Sequence, residues 1–477
     1  MNQPNSFLWH DYETWGTDPA MDRPAQFAAI RTDAELNPIG EPLMLYAKPA
    51  SDMLPQPEAC LVTGLTPQLA SAQGVIEAQF IQRIQTEMMV PGTCTAGFNN
   101  LRFDDEFTRY TLYRNFYDAY EREWKNGNSR WDLIDVVRLC AAVRPEGINW
   151  PRDDEGLPSF RLEMLTAANH IEQVGAHDAL VDVRATIEVA RLVRTSQPKL
   201  FDYALGMRDK TAVAKAVGLG SLKPVLHISG MFGSVNHCAS IVLPLCMHPG
   251  NRNAVICFDL RETPEDFLRL SVDEIRKRVF TSSAELGEKK RIPLKNIHLN
   301  KCPMVAPVAM MTPEVAERIG LDMQLVRKHY DELLTDQRSW LKAGDVFAGQ
   351  AFATKTDVDA MLYGGGFFSD ADKATMAQVR RSSPQELAQQ RFFFEDERLQ
   401  EMLLRYRARN YPETLDELEM QQWQAFRYQR LTNPACGASI TLETYQEKLE
   451  ELFIQYQDDE RKAELLGELM DWGDSLL

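Results

Sequence analysis

A chain of 477 residues is too long for one ordinary hydrophobic core, so it divides into two or three domains. No apolar run approaches membrane-spanning length, and the start, MNQPNSFLWHDYE, has no basic region, apolar core or cleavage site of a secretory signal. The eight cysteines form no CxxC pair, which points to reduced thiols in a cytoplasmic protein. The net charge of -17 argues at first against a nucleic-acid binder. By region the balance differs: residues 1–198 carry -11, residues 199–350 carry +4 and residues 351–477 carry -10. The basic middle is either chance variation or a surface for a polyanion, with carboxylates elsewhere free to hold metal.

The chain opens on strands. FLWHDYE and PAQFAAIRTD alternate, the turn NPIG follows, and EPLMLYAKP makes a third. IEAQFIQRIQTEMM has helical periodicity, and TCTAGFNN reads as a buried strand ending in polar residues. Helices follow at DDEFTRYTLYRN, WDLIDVVRLCAAVR, SFRLEMLTAANH and ALVDVRATIEVARLVRT. Strands followed by alternating helices and strands predict an α/β domain with a mixed sheet over residues 1–198. Residues 199–350 read as a small β-rich domain with helical additions, from VLHISGMFG, SIVLPLCMH, AVICFDL and KNIHLNKCPMVAP. AGQAFATKTDVD and GGGFFSD read as a linker, and residues 351–477 become nearly all helical from Asp370 onward.

Three short pieces carry the chemistry. In HDYETWG, Asp11 and Glu13 are two apart on a strand and share a face. Unpaired, they would repel; a hard divalent cation relieves both repulsion and burial. They are otherwise a wet strand end. In GFNNLRFDDEF, Asp104 stands at a helix start, where a cap is the ordinary role. In AHDALVDVRAT, His177 precedes a helix that Asp178 could cap, and Asp182 lies one turn inside. Each piece alone has a bland explanation. Jointly, four acids and one histidine fit two metal ions and a general base for phosphodiester cleavage.

DYET, NLRFDDE and HDALVD resemble the three exonuclease motifs of the DEDD superfamily, in the subclass with His five positions before the last Asp. VTGLTP, residues 62–67, resembles a loop that such enzymes use at the terminal nucleotide. Over the whole chain, HDYETWGTDPAMDRPAQFAAIRTD, RPEGINWP, LPSFRLE, HISGMFG, HPGNRNAV and FFSDAD resemble the bacterial exonuclease I family, weakening in the last 100 residues. That resemblance implies an RNase-H-like exonuclease domain, an SH3-like β domain with extra helices and an all-helical C-terminal domain enclosing a groove for single-stranded DNA. It implies 3′→5′ hydrolysis to 5′-mononucleotides in DNA repair and recombination, with two Mg²⁺ ions or Mn²⁺ in their place.

The resemblance also implies roles. Asp11, Glu13 and Asp182 hold one metal, Asp11 and Asp104 serve the second, and His177 is the general base. Thr14 meets the terminal nucleotide through its backbone. Asn100 and Phe103 shape the pocket or fix the turn before the helix, and Leu65 wedges against the terminal base or is a plain core leucine. Trp124, Trp131 and Trp150 with Arg130, Arg144 and Arg161 are candidates for the groove, Arg161 as a substrate contact, though most aromatics are packing. Arg144 and Tyr203 match positions that receive the acidic C-terminal tail of single-stranded-DNA-binding protein, although Thr312 stands near where the family has a helper arginine. RYRARNYP, residues 405–412, could touch nucleic acid or be a solvated helix face. Nothing requires more than a monomer. An RNA-directed relative, a non-catalytic DNA clamp and a metal phosphatase are the competing readings.

Overall fold

The computed structural model describes residues 4–173, 178–349 and 355–476. They divide into two compact units. One comprises 4–129, 178–184 and 355–476; the other comprises 130–173 and 185–349.

The first unit is built on β1 (Ser6–Thr14), β2 (Pro24–Thr32), β3 (Leu43–Tyr46) and β4 (Thr93–Gly97), in the order β3-β2-β1-β4. β1 runs antiparallel to β2 and parallel to β4, so the predicted mixed sheet is present. Three helices lie between β3 and β4. They are α1 (Pro57–Thr63) and α2 (Pro67–Gln73), each started by proline, and α3 (Glu77–Met88). Leu8, Tyr12 and Phe27 on the sheet pack with Phe80, Ile81 and Ile84 of α3, the burial its helical periodicity demands. α4 (Asp104–Arg114) follows β4.

The C-terminal helices belong to this unit. The helices Leu442–Gln455 and Glu460–Ser475 pack Leu442, Tyr445, Leu466 and Leu469 into one cluster with Trp15, Cys60 and Leu65. The segment expected as a linker is in part core, because Val358, Ala360 and Leu362 are buried. Residues 350–354 of that expectation lie outside the described residues. RYRARNYP is neither a solvated face nor a row of free cations. Arg405 and Arg407 are buried on the helix Glu397–Asn410, and the Arg409 side chain is buried there too although its backbone is in part exposed. Arg409 bridges Asp52 at 2.7 Å and Asp359 at 2.6 Å, Arg405 reaches Asp359 at 3.0 Å, and Arg407 reaches Glu419 at 2.6 Å. Arg430 adds Asp357 at 2.6 Å. Buried guanidiniums require such partners, and these lie too far along the chain to be seen by spacing.

Glu77, at the start of α3, extends this buried network through Arg23, which also lies 3.5 Å from Asp52. Arg23 and Arg114 approach it at 3.1 and 3.2 Å, and the Asn115 amide donates to it at 2.8 Å. Burial alone would raise this carboxyl; the two guanidiniums and the hydrogen bonds override burial and hold it at about 2. A carboxyl depressed in the folded state stabilises above its unfolded pKa, and that contribution is lost as pH falls through the folded value. Replacing Glu77 by Gln is therefore expected to flatten acid unfolding between about pH 4.5 and 2, where the wild type should lose on the order of 3 kcal/mol. Urea titrations at several pH values measure this; equal acid slopes for the two proteins would exclude it.

The second unit starts within β5 (Ser129–Asp132) and continues into α5 (Leu133–Val143), whose N-terminus Asp132 caps by accepting from the Ile134 amide. Next come α6 (Leu162–Ala168), the later turns of α7 (Ala179–Ser196) and α8 (Pro198–Gly206). Its antiparallel sheet contains β6 (Val225–Ile228), β7 (Ala239–His248), β8 (Asn251–Asp259), β9 (Leu294–His298) and β10 (Met304–Pro307), in the order β10-β6-β7-β8-β9. These are the β pieces expected between residues 199 and 350. Among the described residues no helix is long and apolar enough to cross a membrane.

Candidate active site

The site forms where β1 outruns β4. The parallel register pairs Ser6 with Thr93 and Trp9 with Ala96, and β4 stops at Gly97. Residues 11–13 therefore extend past the carboxyl end of their neighbour, the edge where open α/β sheets place their chemistry. The chain after β4 must turn back closely: a Cβ on Gly97 would lie 2.8 Å from the His10 carbonyl oxygen and from Asn100 Cβ. Asn99 then takes a left-handed φ of 67°. This turn delivers α4 so that Asp104 Oδ1 accepts the Tyr12 amide at 3.0 Å. Asp104 thus caps a strand edge rather than its own helix, whose N-cap is Phe103.

α4 is locked behind this contact. Asp105 pairs with Arg122 at 2.6 Å, with both side chains fully buried. The Thr108 hydroxyl donates to the Asp104 carbonyl at 2.9 Å and accepts from the Tyr12 hydroxyl at 3.0 Å. The doubled acid in RFDDEF thus has two jobs, one facing the site and one facing a buried arginine. Only the first has a sequence signal.

Asp182 arrives from the first turn of α7. Asp178 caps that helix, accepting from the Leu180 and Val181 amides at 3.0 and 3.3 Å, and the Ala179 amide donates to Gln26 Oε1 of β2 at 3.2 Å. These ties bring Asp182 to β1. Ligand oxygens of Asp11, Glu13 and Asp182 all lie within 4.8 Å of one another. The period-two face of HDYETWG and the helix of HDALVDVRAT therefore converge as a donor set of hard carboxylate oxygens. That chemistry fits Mg²⁺ or Mn²⁺.

Electrostatics agree with the geometry. Burial, and then Asp104, Glu13 and Asp182, push the Asp11 carboxyl well above its ordinary range. Burial, then Asp182, Asp104 and Asp178, push Glu13 up to about 9. Glu13 and Asp104 are buried and Asp11 and Asp182 half-buried, and four carboxylates so close together resist full ionisation without a cation. Asp178 adds to this field, beyond the capping role that its place in the sequence suggests.

The remaining candidates are distributed as follows. His177 lies outside the described residues. Thr14 is buried, and its hydroxyl donates to the Gly16 carbonyl at 2.6 Å. Asn100 is buried, and neither atom of its side-chain amide has a hydrogen-bond partner among the described residues. Phe103 is half-buried with its ring 4.9 Å from that of Phe107. Leu65 packs with Trp15 and Tyr445 in the hydrophobic cluster. In the other unit, Arg161 is exposed at the start of α6, and Arg144 donates to the Val143 carbonyl at 2.6 Å. Tyr203 donates to the Val305 carbonyl at 2.7 Å. Trp131 is buried with its indole N–H on the Ala204 carbonyl, and Arg130 donates to the Asn300 carbonyl, so both have structural tasks. Trp124 is 65% exposed.

Comparison with known proteins extends this geometry to the whole chain. The family described as "Exonuclease" matches residues 8–190, "Exonuclease I SH3-like domain" matches 208–349, and "Exonuclease I C-terminal domain" matches 356–476. Exodeoxyribonuclease I of Escherichia coli (strain K12) is 48% identical over 476 residues, spanning 100% of this chain and 99% of the relative. The crystal structure of E. coli exonuclease I in complex with a dA16 oligonucleotide superimposes with a TM-score of 0.96 at 48% identity, covering 99% of this chain and 100% of that one. The zinc-ion-bound form of the E. coli enzyme with single-stranded DNA superimposes with a TM-score of 0.95, also at 48% identity, with the same coverage. A carboxylate cluster that fits a divalent cation, three family matches and full-length similarity lead to one conclusion: the chain belongs to the exodeoxyribonuclease I family of exonucleases.

Proposed function

We propose that the protein removes nucleotides one at a time from the 3′ end of single-stranded DNA and releases 5′-mononucleotides, in DNA repair and recombination. The observation that carries this reading is the convergence of Asp11, Glu13 and Asp182 oxygens in a chain similar throughout to DNA-bound exonucleases. Asp11, Glu13 and Asp182 hold one Mg²⁺, and Asp11 with Asp104 serves a second; Mn²⁺ can substitute. Bound divalent cations activate water and neutralise charge on the scissile phosphate and leaving oxygen. The chain's own task is to hold the carboxylates in place. Asp104 is fixed by the Tyr12 amide, and Asp182 by the tie of α7 to Gln26. His177 takes the proton of the attacking water. Thr14, Leu65, Asn100, Phe103 and Arg161 are proposed to meet the DNA.

The division at 1–198, 199–350 and 351–477, a monomeric state and a cytoplasmic location belong to the same proposal. Degradation of a 5′-labelled single-stranded oligonucleotide with Mg²⁺ tests it. The expected product is a ladder shortening from the 3′ end, absent on blunt duplex and lost in His177→Ala. Tight binding without cleavage by the wild type would instead support a non-catalytic clamp.

The acidic tail of single-stranded-DNA-binding protein is proposed to dock at Arg144 and Tyr203. Titration with the tail peptide is expected to saturate for the wild type and to weaken about tenfold or more in Arg144→Ala, the loss of one charge-assisted contact. No binding by the wild type would remove this partner.

A further inference from the structure

A cavity of about 300 Å³ lies in the second unit, and none of its residues belongs to the carboxylate site. Trp150, Pro151 and Phe160 supply apolar walls, and Arg152, Ser159, His237 and Arg318 supply the polar groups. No carboxylate lines it among the described residues. Each guanidinium is steadied by one carbonyl: Arg152 Nη1 donates to Gly156 at 2.6 Å and Arg318 Nη1 to Ala142 at 2.9 Å. Neither pairs with an acid among the described residues, so both retain donors. The Trp150 indole is oriented by its N–H bond to the Pro145 carbonyl at 2.8 Å.

His237 is the unusual member. Its Nδ1 is buried with no hydrogen-bond partner among the described residues. Burial first, then Arg318 and Arg152, lower its pKa, which disfavours a third positive charge beside the two guanidiniums. Its backbone is left-handed at φ 49°, and Cys238 follows at 57°. Two successive non-glycine residues in that region are strained, and strain of this kind collects at ligand sites. An orphaned buried nitrogen likewise calls for a partner that the fold does not supply.

The volume is at the small end of ligand cavities and too small for an oligonucleotide. Paired guanidiniums select a phosphate. Flat aromatic and proline surfaces accept a planar base.

We propose that this cavity binds a nucleoside 5′-monophosphate, with the phosphate between Arg152 and Arg318, the base against Trp150 and Phe160, and His237 Nδ1 facing a sugar hydroxyl. The choice of nucleotide rests on the proposed function, which makes this class the product; the site itself does not.

Equilibrium dialysis of the full-length protein against labelled dAMP in EDTA tests the site. The variants are Arg152→Glu, whose exposed position keeps the fold, Trp150→Leu and Arg152→Glu/Arg318→Met. Saturable binding is expected for the wild type, weakened about tenfold or more in each variant, with deoxyadenosine and inorganic phosphate each competing at least about tenfold less well than dAMP. Absence of wild-type binding, or unchanged binding in both Arg152→Glu and Trp150→Leu, would overturn the site. Phosphate competing as well as dAMP would reduce it to a plain anion pocket and overturn the nucleotide assignment. The same preparations are assayed on a 5′-labelled oligonucleotide. Degradation without dAMP binding overturns the pocket alone, and dAMP binding without degradation overturns the nuclease reading alone.

Discussion

Asp11→Asn is expected to lower oligonucleotide degradation about a thousandfold or more, equivalent to roughly 4 kcal/mol of transition-state stabilisation. The same substitution is expected to raise the unfolding midpoint measured in EDTA. Both effects have one cause. Burial of its carboxyl, then Asp104, Glu13 and Asp182, force the half-buried Asp11 upward. Removing its charge relieves repulsion and removes a proposed metal ligand together.

The pH dependence has a defined sign. Glu13 is raised from 4.5 to about 9, so in metal-free protein it contributes stability below about pH 4.5 that is lost as pH rises toward 9. Mg²⁺ should reverse that loss in the wild type and leave Asp11→Asn nearly unmoved, because a ligand stabilises only the state that binds it. Thermal scans with and without Mg²⁺ at pH 6 and 8 measure this. An unchanged rate, or equal Mg²⁺ stabilisation in both proteins, would show that these carboxylates do not form the metal site.

Arg409→Met is expected to cost about 3–5 kcal/mol of unfolding free energy, the penalty for stranding a buried counter-charge. Arg409 serves two carboxylates, Asp52 and Asp359, and both it and they are buried. Burial opposes ionisation of Asp52, and Arg409, Arg23 and Arg430 override it and hold its carboxyl far below the usual range. Arg430 is 3.7 Å from Asp52 and Arg23 is 3.5 Å from it, so some compensation survives the substitution. Lys at 409 should recover only part of the loss, since an ammonium cannot span two carboxylates as a planar fork does. Urea unfolding is the measurement. A midpoint within error of the wild type would mean that the network contributes no net stability.

Much of the site is legible in the amino-acid sequence. Alternation in FLWHDYE places Asp11 and Glu13 on one face, and β1 carries them so. Helical periodicity locates the start of α4 at Asp104 and puts Asp182 one turn into α7. The β pieces between residues 199 and 350 are recognisable by their turns. RYRARNYP misleads, because a basic, aromatic helix reads the same in sequence whether it faces solvent or buried acids. The linker expectation, AGQAFATKTDVD followed by GGGFFSD, fails in part for a similar reason, since Asp357 and Asp359 carry no local sign of the arginines 46 to 73 positions away that close on them.

What the sequence by itself determined is therefore local. It set which residues are strand or helix, which carboxylates share a strand face, and which motif the chain resembles, because these depend on spacings of two to five residues. Tertiary structure alone decided that Asp104 serves the Tyr12 amide across 92 residues, that Asp105 meets Arg122, and that Arg409 reaches Asp52 across 357. Such partners are chosen by burial, where a charge must find its complement wherever the chain brings one, and no local pattern records that choice.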